Sequence, residues 1–342
     1  MLEHPMTQPL ILTIATLSAS LLFGCGGGGS TNADGSSSDA FDAPPALLVA
    51  STPALALATS GTARFLKVTN AGVVTAELLE LRVTGLPSGS TAHSSCPVEL
   101  PPDTSCLVLI RPGSRPSAEP ANLTPVPAKL TLRGSNTNVL DVNVSVITYG
   151  SFHQGGFVFA LDDKTAITGG VSGKVIATAD TSPAANWSPT ATEVAGVSDN
   201  SLAGANSCNG AVEGRCNTSR ILAHFPSGER NFAAAQCADL RGGGFADWYL
   251  PALCEMGYTT TGPGNGICGT KATPLLPDNV RSRLFDTDGL FHFSNHYWTS
   301  TQASLNPETD AHRAMFRLEQ PTSEGAKLSV LLPARCARAF AP

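Results

Sequence analysis

The sequence predicts two consecutive folded units of different class. Residues 46–148 read as an all-β sandwich, and residues 149–342 as an α+β domain stapled by disulfides. Three observations carry this. Short apolar–polar alternations recur between turn signals in the first stretch, as the strands of a sandwich require. Helical periodicity enters after residue 230, where Ala233, Cys237 and Leu240 fall at i, i+4 and i+7 on one face. Eight of the nine cysteines lie beyond residue 95. That even number suits a domain made in an oxidising compartment.

Taken in order, the chain opens as an export signal. Leu10 to Phe23 is almost wholly apolar or small, the length of a signal-peptide core and too short to span a bilayer. It closes on Leu22-Phe23-Gly24-Cys25, which resembles the bacterial lipobox. Residues 1–25 are therefore expected to be a lipoprotein signal peptide with Cys25 carrying the lipid. The segment before Leu10 departs from that pattern: it lacks Lys and Arg and contains Glu3. Gly26 in place of Asp after the cysteine points to the outer membrane. Residues 26–45 form a Gly/Ser linker that buries too little apolar surface to offset chain ordering. As a random coil it holds the next unit roughly 25 Å from the anchor. Its tetraglycine is no phosphate loop, because no Gly-Lys-Ser/Thr follows.

In residues 46–148 strands are expected at 63–69, 76–83, 106–111, 129–133 and 139–146. Turns at 69–72, 86–89, 111–114 and 134–137 separate them. The last strand alternates cleanly and should have one buried and one wet face. Asn70-Ala71-Gly72, then Gly85-Leu86-Pro87-Ser88-Gly89, then Cys96 and Cys106 resemble the Ig-like modules of bacterial surface proteins. That resemblance implies an Ig-like spacer.

Residues 149–342 are organised around Gly242-Gly243-Gly244-Phe245-Ala246-Asp247-Trp248-Tyr249-Leu250-Pro251. Three glycines stop the preceding helix and let backbone approach backbone. The aromatic run supplies core, and Pro251 suits the first position of a second helix. Strands are expected at 155–160 and 173–179, then a loop-rich stretch from Thr181 to Arg220 anchored by Trp187. A helix follows over 232–240, then one capped by Asp278 and running to Leu284. Strands at 297–301, 311–318 and 328–340 complete an α+β pattern. Long loops on a cross-linked scaffold are where binding resides.

The ordered motifs Gly155–Ala160, Arg241–Phe245, Asp247–Pro251, Tyr297–Thr301 and Arg335–Phe340 resemble the Lcl C-terminal domain family, named for a collagen-like adhesin of Legionella. The resemblance covers residues 149–342. It implies a C-type-lectin-like fold and, through the family's relatives, glycan binding.

Cysteine parity leaves the pairing open. If Cys25 carries lipid, Cys96–Cys106 and Cys208–Cys216 are favoured as local clips, and Cys254–Cys268 closes the glycine-rich loop 262–266. Cys237–Cys336 ties helix to last strand, which a lectin-like fold also implies, and closes the longest loop, worth on the order of 4–5 kcal/mol on the chain-entropy model.

The search for chemistry returns little. His292 and His296 have histidine-pair spacing but sit among glycine and aromatics, and read as loop. Asp162-Asp163 and Asp286-Thr287-Asp288-Gly289 read as turns, lacking the rest of a calcium loop. The Glu-Pro-Asn and Trp-Asn-Asp sugar-binding signatures of calcium-dependent lectins are absent. No nucleophile elbow is present, and the cysteine pair of formylglycine-generating oxidases has no clear counterpart. No enzyme activity, metal or cofactor is expected. The chain carries 21 basic and 27 acidic residues, a net of −6, which argues against a nucleic-acid partner. An anionic glycan would need a basic patch, for which Arg281 with Arg283, Arg313 with Arg317, and Arg335 with Arg338 are candidates. Tyr297 is a candidate stacking residue, while Trp248 and Trp298 read as buried. The expected function is non-enzymatic binding by a surface lipoprotein, adhesion to host or matrix glycans. The alternatives are a structural envelope protein that binds other surface proteins and, behind it, a lectin-fold oxidase.

Overall fold

The computed structural model describes residues 46–226, 228, 230–260, 266–287, 291, 293, 296–316 and 322–342, with 182–184 in main chain only. The expected signal and linker with Cys25, most of loop 262–266, Asp288, His292 and Arg317 lie outside the described residues.

Residues 46–148 contain β1 (Leu48–Ala50), β2 (Ala54–Ala58), β3 (Arg64–Asn70), β4 (Ala76–Glu77), β5 (Glu80–Thr84), β6 (Thr91–Ser94), β7 (Glu99–Leu100), β8 (Ser105–Arg111), β9 (Ala128–Arg133) and β10 (Leu140–Ile147). Two four-stranded sheets form, ordered β1-β3-β8-β6 and β2-β10-β9-β5. Alternation decides which face is buried: Val142, Val144 and Val146 point inward while Asp141 and Asn143 face water. Leu55, Leu57, Leu130 and Leu132 of one sheet meet Leu66, Val68, Val108 and Ile110 of the other in one aliphatic core. Each such side chain, fully buried, contributes about 1.5–3 kcal/mol. The two sheets thus form a sandwich. The strand expected at 76–83 is split, because Leu78 takes φ 52° and turns the chain out between β4 and β5.

Residues 149–342 contain β11 (Phe152–His153), β12 (Gly156–Asp162), β13 (Ser172–Ala177), β14 (Ser182–Ala185), α1 (Gly214–His224), α2 (Ala233–Asp239), α3 (Leu253–Met256), β15 (His296–Gln302), β16 (Asp310–Met315), β17 (Thr322–Ala326), β18 (Leu332–Ala334) and β19 (Ala337–Phe340). The sheets β11-β12-β13-β19, β15-β16-β17 and β14-β18 are antiparallel throughout. This is a small α+β arrangement, as expected in outline.

Several details differ. Helix α1 lies where loop was expected, because its buried face is Gly214, Asn217, Thr218 and Ile221, helically spaced but mostly polar or small. Pro251 lies before α3, whose cap position is Ala252. Asp278 caps nothing: its carboxylate accepts the Tyr149 hydroxyl at 2.9 Å and pairs with Arg283 at 2.7 Å. Asn279 does the capping, its Oδ1 accepting Ser282 N–H at 2.8 Å, and the turn Arg281–Phe285 is π-helical. The last expected strand is broken into β18 and β19 at Arg335–Cys336.

The glycine joint behaves as its composition demands. Gly243 takes φ +64°, and a Cβ there would lie 2.4 Å from the Cα of Gly155. Backbone crosses backbone at a distance no other residue pair permits. Tyr249 N–H and C=O then bridge Ala337 at 2.8 Å each, which fixes the joint against β19.

The four disulfides are Cys96–Cys106, Cys208–Cys216, Cys237–Cys336 and Cys254–Cys268. These are the favoured pairs.

The two stretches meet in a continuous seam. Arg64, fully buried at the start of β3, donates to Asp163 Oδ1 at 2.6 Å and to the carbonyls of Asp163, Thr165 and Ala166. Phe65 N–H bonds Ile167 O, and Val171 N–H bonds Ala56 O. Ala58 and Ile147 are members of the same apolar cluster as Val158, Val171 and Trp187. The opposite pole of the sandwich holds Ala46, bridged to Thr137, and the Leu48–Asn70 pair.

Candidate functional site

An open cleft of about 470 Å³ lies between α1, the start of α3, β13 and β19, lined among others by Lys174, Glu213, Arg215, Ser219, Tyr249 and Glu255. Its volume falls in the range of small-molecule sites. Each side chain is placed by an element already described. Lys174 projects from β13, whose neighbours Val175 and Ile176 are buried. The Cys208–Cys216 disulfide ties the first turn of α1 to the preceding loop. Gly214 is required there, since a Cβ would lie 2.3 Å from Glu255 Oε2.

Glu255 forms the floor. It is 1% exposed, and its Oε1 accepts Lys174 Nζ at 2.5 Å and the Tyr249 hydroxyl at 2.9 Å. Its Oε2 accepts Ala252 N–H at 2.9 Å. A buried carboxylate persists only when paired and hydrogen-bonded in this way. Burial and then the Glu255 charge push the Tyr249 hydroxyl well above its usual range, so it stays a neutral donor. Above the Tyr249 ring, 5.8 Å from its centroid, sits the Arg215 guanidinium. Arg215 pairs with Asp247 at 3.1 Å, and Asp247 also takes Arg338. Glu213 receives Asn209 N–H on Oε2 at 2.7 Å. Glu213 lies within 4.8 Å of both sulfurs of Cys208 and Cys216, but the disulfide leaves no thiolate to hold a metal.

Among the described residues, the arginines singled out in the sequence are not gathered into a basic patch. Arg281 is buried, donating to Tyr258 Oη and Met315 O, with Asp286 at 3.7 Å. Arg283 pairs with Asp278 and lies 4.3 Å over the Tyr149 ring. Arg313 donates to Ser323 Oγ at 2.5 Å. Arg335 pairs with Asp180 at 2.6 Å, and Arg338 with Asp247. Tyr297 is fully buried, in a cluster with Phe293 and Phe316, which corrects its reading as a stacking surface. Trp248 and Trp298 are buried as expected. Arg335 and Arg338 find their acidic partners 155 and 91 positions away, whereas Arg281 and Arg283 pair with aspartates five positions off.

No protein-family model matches this chain, and no curated protein shows significant similarity to it. Among solved structures it overlaps the VesB protease of Vibrio cholerae over 30% of its length, at 14% identity and a TM-score of 0.24. It overlaps the secreted serine protease VesC of the same organism over 39%, at 15% identity and 0.23. A GH5 xyloglucanase from Bacteroides ovatus, in complex with a XXXG heptasaccharide, overlaps it over 52%, at 14% identity and 0.21. The chain covers 32%, 31% and 34% of those structures. Overlaps this loose identify neither a fold nor an activity.

Lys174, Arg215 and Glu255 were not singled out from sequence, and Tyr249 was read only as core. A signal existed: Glu255 interrupts Leu253-Cys254-Met256, and Lys174 interrupts Gly173-Val175-Ile176. A lone charge inside an apolar run calls for a buried partner, and here each is the other's.

Proposed function

We propose that this is an exported surface lipoprotein whose residues 149–342 bind a ligand without catalysis, as an adhesin for host or matrix glycans. In this reading Cys25 anchors the chain to the outer membrane and residues 26–45 tether it. Residues 46–148 act as an Ig-like stalk, and a C-type-lectin-like domain related to the Lcl C-terminal family forms the tip. The observation that carries the proposal is the preformed cleft over Glu255, whose groups are fixed before any ligand arrives, so little ordering entropy is lost on binding. The polarity of the sandwich supports it too. Ala46, the first described residue, bridges Thr137 at the pole away from the Arg64 seam. Every described cysteine is disulfide-bonded, which leaves a thiol-dependent oxidase without a nucleophile among them. No described helix is long and apolar enough to cross a membrane.

A panel of neutral and sulfated glycans tests the reading, with the full-length protein in detergent and binding followed by calorimetry. Saturable binding to at least one glycan is expected; no binding to any removes the adhesin reading. A second reading, a protein partner in the envelope, is favoured by Leu202 and Leu305, which are 75% and 82% exposed on loops joined through Asp199 and Ser304. Exposed apolar groups of this size mark contact surfaces more often than stray leucines do when they cluster.

A further inference from the structure

We infer that the cleft over Glu255 takes a neutral, hydroxyl-rich saccharide segment rather than a sulfated or carboxylated one; this rests on the binding reading above and names its ligand class. The first ground is charge. Lys174 and Arg215 line the cleft against Glu213 and Glu255, so the lining sums to zero. Both cations are already engaged, Lys174 with Glu255 at 2.5 Å and Arg215 with Asp247 at 3.1 Å. An anionic ligand would have to compete with these carboxylates and would meet Glu213 on the way in. Nothing in the cleft concentrates positive charge as a steering patch for anions does.

The second ground is hydrogen-bonding valence. An ammonium has three donors and a guanidinium five. Lys174 uses one on Glu255, and the Arg215 bonds go through one terminal nitrogen to Asp247. Their side chains remain 35% and 56% exposed. Glu213 Oε1 is left as an acceptor beside them, since Oε2 holds Asn209 N–H. The lining thus offers both donors and an acceptor. A hydroxyl both donates and accepts and so can use both kinds of group, whereas sulfate and carboxylate only accept. Val212 and Ala339 supply apolar surface for the C–H face of the ring.

The third ground is exclusion. Of the described arginines that could have served an anionic glycan, Arg283, Arg281, Arg335 and Arg338 are committed to Asp278, Asp286, Asp180 and Asp247, and Arg313 donates to Ser323 Oγ. A sulfated chain finds no row of unengaged cations among these described arginines.

The test uses the full-length protein in detergent micelles, with linear neutral β-glucan and mannan oligosaccharides, a heparin oligosaccharide and oligogalacturonate as probes. Each is titrated at about 50 and about 500 mM salt, where screening separates ionic from neutral recognition. Arg215→Ala and Glu213→Gln, both at partly exposed positions, are compared with wild type, with thermal melts of each variant confirming an unchanged fold. A neutral oligosaccharide is expected to bind with less than about a twofold change across salt. Arg215→Ala should weaken it by about tenfold or more, the worth of a charge-assisted hydrogen bond. Glu213→Gln should weaken it less, by a fewfold. Salt-sensitive binding of heparin or oligogalacturonate that Arg215→Ala abolishes would overturn the ligand class while leaving the cleft in place. Neutral binding untouched by both variants would overturn the cleft assignment. Failure of every probe to bind would remove the binding reading itself, along with this one.

Discussion

The two halves of this molecule are held together by different physics. In residues 46–148 the interior is aliphatic, the described buried polar side chains are Arg64 and Asn70, and one disulfide closes a ten-residue loop. In residues 149–342 Glu255, Arg281, His312, Lys327 and Arg338 are all buried, with Asn217, Thr299, Ser300, Thr301 and Gln302 among them. Three disulfides cross that half. Lys327 shows the style best. It is fully buried, donates to Thr192 O, Gln302 Oε1 and Pro307 O, and lies 4.4 Å over the Trp187 ring. Burial lowers its pKa to about 8. An apolar core gives stability and nothing to bind with. A polar interior whose groups are mostly paired costs desolvation but fixes groups in chosen places, and cross-links offset part of that cost. The cleft lies in the half built that way.

The comparison can be broken first at the cross-links. Removing Cys237–Cys336, which spans 99 residues, by paired serine substitution should cost about 4–5 kcal/mol. Removing Cys96–Cys106 should cost roughly 3 kcal/mol, since its loop is far shorter. Chemical denaturation of both variants checks the ratio, and equal losses would dissolve the contrast. Next comes the seam. Arg64→Met leaves Asp163 and three carbonyl contacts without their donor and should cost about 3 kcal/mol. It should also split one unfolding transition into two, as read by calorimetry.

Acid comes third. Burial, and then the Arg338 charge, lower the His153 pKa to about 4 from 6.5. The unfolded chain binds its proton below 6.5, while the folded chain resists until about 4. Stability from this group is therefore full above pH 6.5 and is lost as pH falls to 4, up to about 3 kcal/mol. His153→Gln should flatten the wild-type loss over that window in urea midpoints taken at stepped pH. Lys327→Met, which strands three acceptors, should cost about 2 kcal/mol. Smallest of all, Arg230→Ala removes an exposed pair with Asp239 and should change stability by less than about 0.5 kcal/mol. A large loss there would mean that surface pairs, not buried ones, hold the second half.

The same contrast explains what could be read from the sequence. The sandwich strands were legible because burial there is written in period-two valines and leucines, as at Val142, Val144 and Val146. The helix over Ala233–Asp239 and the glycine joint were legible for similar reasons, a small-residue stripe and a chain crossing only glycine allows. Helix α1 was illegible because Asn217 and Thr218 do the work of leucines, bonding Gly210 O and Leu250 O instead. The cleft was illegible because its pairs join residues such as Lys174 and Glu255, 81 positions apart. Arg335 and Arg338 misled for the same reason, since spacing along the chain shows a cation but not the distant carboxylate that has claimed it.

The most direct test of the account is amide hydrogen exchange on the intact protein, free and with the saccharide that binds it best. The amides of Tyr249, Ala252 and Leu253, which bond Ala337 O, Glu255 Oε2 and Thr301 Oγ1, should already exchange slowly in the free protein. Added ligand should then protect residues 212–219 and little else, the signature of a site formed in advance. Fast exchange at those three amides in the free protein, or protection centred on Leu202 and Leu305, would contradict it.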